Sequence, residues 1–302
     1  RESAVKFTNH LYPLREYKGT HDIGFMMNCS YGNANRLSPA DSVRSALIQT
    51  ADNLCGRFNP EIGCIRSWNF GKWNFPVIID NMMNLELLTW AGKETGDTTL
   101  VNIATEHANT TLKNHFRKDY STYHVVSYDT ITGLPDVKQT HQGYADESAW
   151  ARGQAWALYG YTMMARETGD DAYLQQAKHI ALFLMNHPRM PEDKVPYWDF
   201  DTPDIPNTTR DASAAAIMAS ALIELSQIDQ SSEAAGYLAY AEDQLRSLSS
   251  PEYLAEAGTN CNFVLKHSTG YFKAGSEVDV PLSYADYYYV EALMRLKKII
   301  EE

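Results

Sequence analysis

Long apolar runs, clusters of positive charge and paired-cysteine motifs are all missing from this 302-residue sequence. No stretch of about 18 apolar residues occurs, so no helix is expected to span a bilayer. The four cysteines (Cys29, Cys55, Cys64 and Cys261) show no CxxC spacing, which argues against a zinc knuckle and leaves buried free thiols as the plain expectation. Acidic residues outnumber basic ones by 38 to 26 and no basic run is present, so neither nucleic acid nor an anionic membrane surface is expected as the main partner. An anionic substrate would have to be held by a few local cations. There is no glycine-rich phosphate loop after a strand, no HExxH and no EF-hand loop, and no cofactor or metal is expected. The opening residues, RESAVKF, lack the basic and apolar regions of a secretory signal, which leaves the compartment open.

What the sequence does have is helical periodicity, repeated. A helical segment ending in AGKETGD (Ala91 to Asp97) is followed by a second, TTLVNIATEHANTTLKNHF. The phrase returns as ARETGD (Ala165 to Asp170), again with apolar residues three and four apart in the segment after it. A degenerate third copy runs from Ser220 to Leu248, a fourth pair precedes them from about Ser38, and a last helix is expected from Val280 to Glu302. The first helix of each pair is apolar nearly all round, and the second carries one polar face. Such a contrast predicts inner and outer rings of helices, an all-α toroid of helical hairpins, with an open solenoid as the runner-up. The chain reads as a single domain over residues 1–302, and the strand-like STYHVVSYD (Ser121 to Asp129) as a short hairpin among loops.

Acidic residues stand at the expected starts of the inner helices. Asp80 opens DNMMNLELL, Asp146 opens DESAWARGQ, and Arg210-Asp211 opens RDASAAAI. Helix capping explains a carboxylate in such a place, and for Asp211 capping is the preferred reading. Asp80 and Asp146 sit among apolar and aromatic neighbours, including Trp68, Trp73 and Trp150. Two carboxylates in an aromatic-lined mouth are the minimum equipment for glycosidic chemistry.

The phrases FPVIIDNMMNLELLTWAG, THQGYADESAWARGQAWALYGY, RDASAAAIMASALIEL and GSEVDVPLSYADYYYVEAL together resemble the unsaturated glucuronyl hydrolases, over roughly His21 to the C-terminus. The resemblance implies an (α/α)6 barrel of six helical hairpins. It also implies an oligosaccharide substrate made by a polysaccharide lyase, with a non-reducing-end uronic acid carrying a C4=C5 double bond. By resemblance, Asp146 donates the proton to C4 and then serves as base for water, and Asp80 is the second essential carboxylate. A like charge close to Asp146 would raise its pKa, which predicts an acid-side optimum.

Anion recognition needs further groups. Arg210 is the leading cation, because a guanidinium binds an anion through two parallel donors. Trp150 and Gln154 are candidate substrate contacts, Arg152 has an ion pair as its equal alternative, and His124 and His141 lie in loops expected at the mouth. Family members that accept sulfated fragments carry a Ser-x-x-Ser-x-Lys pattern; here Ser268 and Lys273 match it, while Tyr271 replaces the second serine. Alternatives are an unsaturated rhamnogalacturonyl hydrolase-like enzyme, a sugar epimerase leaning on histidines, and a non-catalytic carbohydrate-binding repeat protein. The family's association with lyases or their imported products favours the periplasm or another exported location, with the cytoplasm as the alternative; oligomeric state is not indicated.

Overall fold

A computed structural model of the chain describes residues 2–301. Its described residues pack as two compact units, residues 2–115 with 125–138, and residues 116–124 with 139–301.

The first unit contains α1 (Glu2–His10), α2 (Ile23–Met27), α3 (Asn33–Leu37), α4 (Asp41–Cys55), α5 (Leu85–Thr95) and α6 (Thr98–Asn114). A π-helical turn at Asn28–Gly32 joins α2 and α3 into one run. Short strands β1 (Phe58–Asn59) and β2 (Cys64–Ile65) form an antiparallel pair. A second sheet has the order β3 (Pro76–Ile78), β4 (Val125–Tyr128) and β5 (Pro135–Gln139), with Val77 opposite Val126. STYHVVSYD does not form the expected hairpin by itself; it supplies one strand, β4, which pairs with β3 and β5 on either side.

The second unit is built on α7 (Ala151–Thr168), α8 (Asp171–Met185), α9 (Ala212–Ile228), α10 (Ala234–Leu248) and α11 (Ser283–Glu301). α9 packs against α7, α10 and α11, and α7 also packs against α8. Every residue of α7 from Ala151 to Ala165 is buried, as is every residue of α9 from Ala212 to Ile223. α8 and α10 bury one face only. This is the inner and outer division the periodicity predicts. α11 begins three residues after the expected Val280, and its Val290 and Met294 are exposed.

The repeated Glu-Thr-Gly-Asp phrase forms the same turn twice. Thr95 and Thr168 each donate a hydroxyl to the carbonyl four residues back, at 2.7 Å. The following glycine takes a left-handed φ, 76° at Gly96 and 71° at Gly169, which closes the helix without a Cβ clash. Asp97 and Asp170 then cap the next helix by accepting from the backbone N–H two residues on, at 2.9 Å in both.

Two expected helix starts lie elsewhere. Asp80 sits in a 3-10 turn, Ile79–Asn84, ahead of α5. α7 starts at Ala151 rather than near Asp146, because Trp150 is extended and bridges to Asp199 while Ala151 N–H donates to the Trp198 carbonyl. Backbone pairing outside the helix thus takes the residues that composition assigned to its first turn.

Candidate active site

In the second unit the chain from Val195 to Phe200 stitches together the approaches to α7 and α9. On one side Phe200 N–H donates to the Ala149 carbonyl; on the other Trp198 N–H donates to Thr209 and Asp211 N–H to Pro196. The two helix starts are held in register by one extended segment.

Asp146 lies in the turn this segment supports. Its Oδ1 accepts from Thr140 N–H at 2.9 Å, and among the described residues no other donor reaches the carboxylate. Asp146 is exposed, and its backbone carbonyl accepts from Arg117 at 3.0 Å. Arg117 also holds Glu147, at 3.2 Å, and Tyr123 donates to the same Glu147 carboxylate. One oxygen of Asp146 is thus fixed by the backbone.

Behind it stands Asp199, fully buried. Its Oδ2 accepts from Tyr144 N–H at 2.8 Å and from the Ser148 hydroxyl at 2.7 Å, and its Oδ1 from Asp201 N–H at 2.9 Å. Burial, aided by the charge of Asp201, pushes this carboxyl above its usual range, against the pull of those three donors. Gly143 is required here: a Cβ would lie 3.0 Å from the Trp150 Cβ and 3.1 Å from an Asp199 oxygen.

The histidines converge on the same turn. His124 is buried, with its ring centroid 4.5 Å from that of Trp150. Its Nδ1 accepts from His141 N–H and Gln142 N–H, both at 3.1 Å, which places the ring proton on Nε2. The His141 ring centroid lies 4.8 Å from that of Tyr271, and the charge of Lys273, after burial, holds the His141 pKa below its ordinary value. His124, His141, Trp150, Tyr271 and Lys273 are therefore grouped around the turn carrying Asp146.

Other expected contacts are committed to the protein itself. The Gln154 amide accepts from Thr122 N–H at 2.8 Å and donates to the Thr122 carbonyl at 3.1 Å, acting as a buried clamp on the chain two residues before His124. Ser268 is fully buried and pairs through its backbone with Val280. Arg210 bonds Asp193 at 3.0 Å and the Val195 carbonyl, with its guanidinium 4.6 Å from the Tyr197 ring centroid. Asp211 caps α9 through Ser213 and Ala214 N–H groups. It also pairs with the buried Arg152 at 2.8 Å, so Arg152 is engaged in an ion pair within the protein.

Asp80 belongs to the first unit and is partly exposed. Its turn is fixed by the buried amides that follow it. Asn81 donates to the Ile65 carbonyl at 2.7 Å, and Asn84 accepts from Phe25 N–H at 2.7 Å while its amide meets His21 at 3.1 Å. In the same unit Trp68 stacks on Phe70 at 5.0 Å and meets Trp73 edge-on at 5.5 Å. Phe70 is 58% exposed, leaving an open aromatic face. Among the described residues no three of His, Cys, Asp and Glu gather closely enough to hold a metal ion, and no helix is long and apolar enough to cross a membrane.

No protein-family model matches the chain. An unsaturated glucuronyl hydrolase from Formosa agariphila, however, is 48% identical over 300 residues, covering 98% of this chain and 74% of the relative. The chain belongs to the unsaturated glucuronyl hydrolases. It is also similar to the crystal structure of an unsaturated glucuronyl hydrolase specific for heparin, at 54% identity and a TM-score of 0.96, covering 98% of this chain and 79% of that one. A Streptococcus agalactiae unsaturated glucuronyl hydrolase variant complexed with dGlcA-GalNAc6S matches at 30% identity and a TM-score of 0.80, over 97% of this chain and 72% of that one. The fold class is accordingly the α/α barrel of these enzymes, and the chain is a glycoside hydrolase.

Asp199 is the buried carboxylate of this turn that the sequence reading missed. Its signal was present as YWDFD, an acid between aromatics, but nothing local says that Asp199 reaches back 51 residues to Ser148.

Proposed function

We propose that the enzyme removes the 4,5-unsaturated uronic acid from the non-reducing end of lyase-generated glycosaminoglycan-type oligosaccharides, with sulfated fragments among its substrates. Asp146 gives a proton to C4 of the enol ether, and the π electrons shift to leave an oxocarbenium-like centre at C5. Water then adds at C5 and loses its proton to Asp146, which is restored. The hemiketal so formed opens without further catalysis, and the partner sugar leaves. Asp80 serves as the second essential carboxylate, positioning the sugar ring or its hydroxyls. The observation that carries this reading is Asp146 itself, exposed and with one carboxylate oxygen held by Thr140 N–H as its single donor among the described residues.

In the same reading Trp150 and His124 form an aromatic wall for the ring, and Gln154 acts through the segment that carries His124. Lys273, with His141 and Tyr271 beside it, receives a sulfate; a tyrosine hydroxyl reaches further than the serine it replaces and still donates. Ser268 supports that segment from beneath, and Arg210 supports it through the chain before α9. Action beside exported lyases, or on their imported products, places the enzyme in the periplasm or another exported compartment.

Loss of the ultraviolet absorbance of the C4=C5 bond tests the reaction. Unsaturated disaccharides should lose absorbance with wild type, and Asp146→Asn should lower kcat at least about 100-fold while substrate still binds. Equal decay with both proteins would remove Asp146 from the chemistry. A folded wild type that consumes none of the sulfated or unsulfated substrates would refute the proposed reaction.

A further inference from the structure

The first unit holds a cleft of about 690 Å³ that the chemistry above does not use. Two arginines line it. Arg57 donates to the carbonyls of Arg66 and Lys18, at 2.8 and 2.7 Å, and to the Asn69 side chain at 3.2 Å. Arg66 donates to the carbonyls of Trp68 and Asn74, at 3.0 and 3.1 Å. Every acceptor is neutral. Among the described residues neither guanidinium has a carboxylate within ion-pairing distance, although the chain has 38 acidic residues and Arg44, Arg117, Arg152 and Arg166 all pair with one.

The two charges also act on each other. After burial, the positive charge of Arg66 is the next cause holding Arg57 below its ordinary pKa. Lys18, exposed at the same opening, adds a third cation. Asp52 and Glu61 are exposed at the cleft too, but reach neither arginine. Asp22 and Tyr17 offset part of that repulsion, and an anion entering here gains charge-assisted hydrogen bonds and offsets more of it.

The remaining lining narrows the ligand. Phe75 packs under Arg66, with the guanidinium 5.7 Å from its ring centroid, and Phe58 lines the same cleft. Asn59 uses its Oδ1 to accept from Glu61 N–H, and its amide donors are uncommitted among the described residues. Guanidinium, aromatic and amide groups together suit a sugar bearing a carboxylate or sulfate better than a bare ion. Phe75 also immediately precedes β3, and five residues of extended chain, at about 3.3 Å each, put Asp80 no more than about 17 Å away.

We infer that this cleft binds an anionic group of an acidic oligosaccharide at a site separate from the reacting uronic acid. The anion-binding capacity stands on Arg57, Arg66 and Lys18 together; the identity of the ligand as a sugar rests on the proposed function.

Calorimetric titration of wild type with inorganic sulfate, and separately with a saturated uronate-containing oligosaccharide, tests this. Lys18→Glu is the first variant, since its side chain is exposed and holds no loop; Arg66→Gln is the second, with folding checked by circular dichroism. Both ligands should bind wild type, and Lys18→Glu should weaken both about tenfold. Equal affinities in wild type and Lys18→Glu would overturn the site. Binding of sulfate without the oligosaccharide would overturn the sugar assignment. Turnover of an unsaturated disaccharide by wild type, measured alongside, separates the two readings: its absence would count against the proposed function, while the sulfate titration would still decide the cleft.

Discussion

Asp146 and Asp199 show how one residue type serves two ends. Asp146 is exposed with a single backbone donor on one oxygen, an arrangement that leaves the other oxygen available. Asp199 is fully buried with three donors, and it fixes the turn on which Asp146 stands. Asp199→Ala should therefore act through position: kcat falls by as much as about 100-fold, KM changes less, and Asp199→Asn recovers part of the loss. An Asp199→Ala enzyme with wild-type kcat would show that the turn needs no such support. Trp150 was recognisable as a site candidate because it belongs to a specific phrase. Gln154 was recognised in the same phrase, yet its clamp on Thr122 depends on a partner 32 residues away that no local pattern reveals.

Among the elements, α7 and α9 are joined by a buried charge. Arg152 on α7 bonds Asp211 at the cap of α9, and also the carbonyls of Thr269 and Gly270, at 2.5 and 2.6 Å, just before Tyr271. Removing one partner leaves the other charged and unsolvated, so Arg152→Met should cost about 3–5 kcal/mol in denaturant unfolding. Adding Asp211→Asn should return at least about 1 kcal/mol of that loss; strict additivity of the two changes would mean that the pair is not coupled. The helices themselves were legible because α7 and α9 are apolar all round and their partners are not. Their starts were harder to read. Asp146-Glu147 looks like a first turn, but the pairing of Trp150 with Asp199 forces the chain to stay extended until Ala151. Asp211 starts its helix where the sequence placed it, because the pairing with the Val195–Phe200 segment ends at its N–H and its side chain caps α9 from that position.

For the molecule as a whole, the repeat carried the fold class and the phrases around Asp80 and Asp146 carried the family. Neither signal carries tertiary partners such as those of Arg210, whose guanidinium is taken by Asp193 and the Val195 carbonyl. Acid sensitivity is a further property that only the packing reveals. His107 is fully buried in α6, accepts from Ile65 N–H at 3.0 Å and is pushed by burial to a pKa of about 3. His115 is likewise held well below its ordinary value. Both are neutral in the fold and protonate more readily when unfolded. Their contribution is therefore complete above about pH 6.5 and is lost as pH falls toward the folded-state pKa, at about 1.4 kcal/mol per pH unit for each. Unfolding curves from pH 7 to pH 4 should show this fall, and His107→Asn, less stable at pH 7, should show a shallower one. An unchanged slope would assign the acid loss to other groups.

The central claim is that the double bond is hydrated before the sugars part. Proton magnetic resonance in deuterated water follows the vinylic H4 of an unsaturated disaccharide and the released partner sugar in one experiment. The account predicts that H4 disappears no later than the partner sugar is released, with deuterium at C4 of the product, and that Asp146→Asn stops both. Release of the partner sugar while the vinylic H4 remains intact would mean direct attack at C1, and would contradict it.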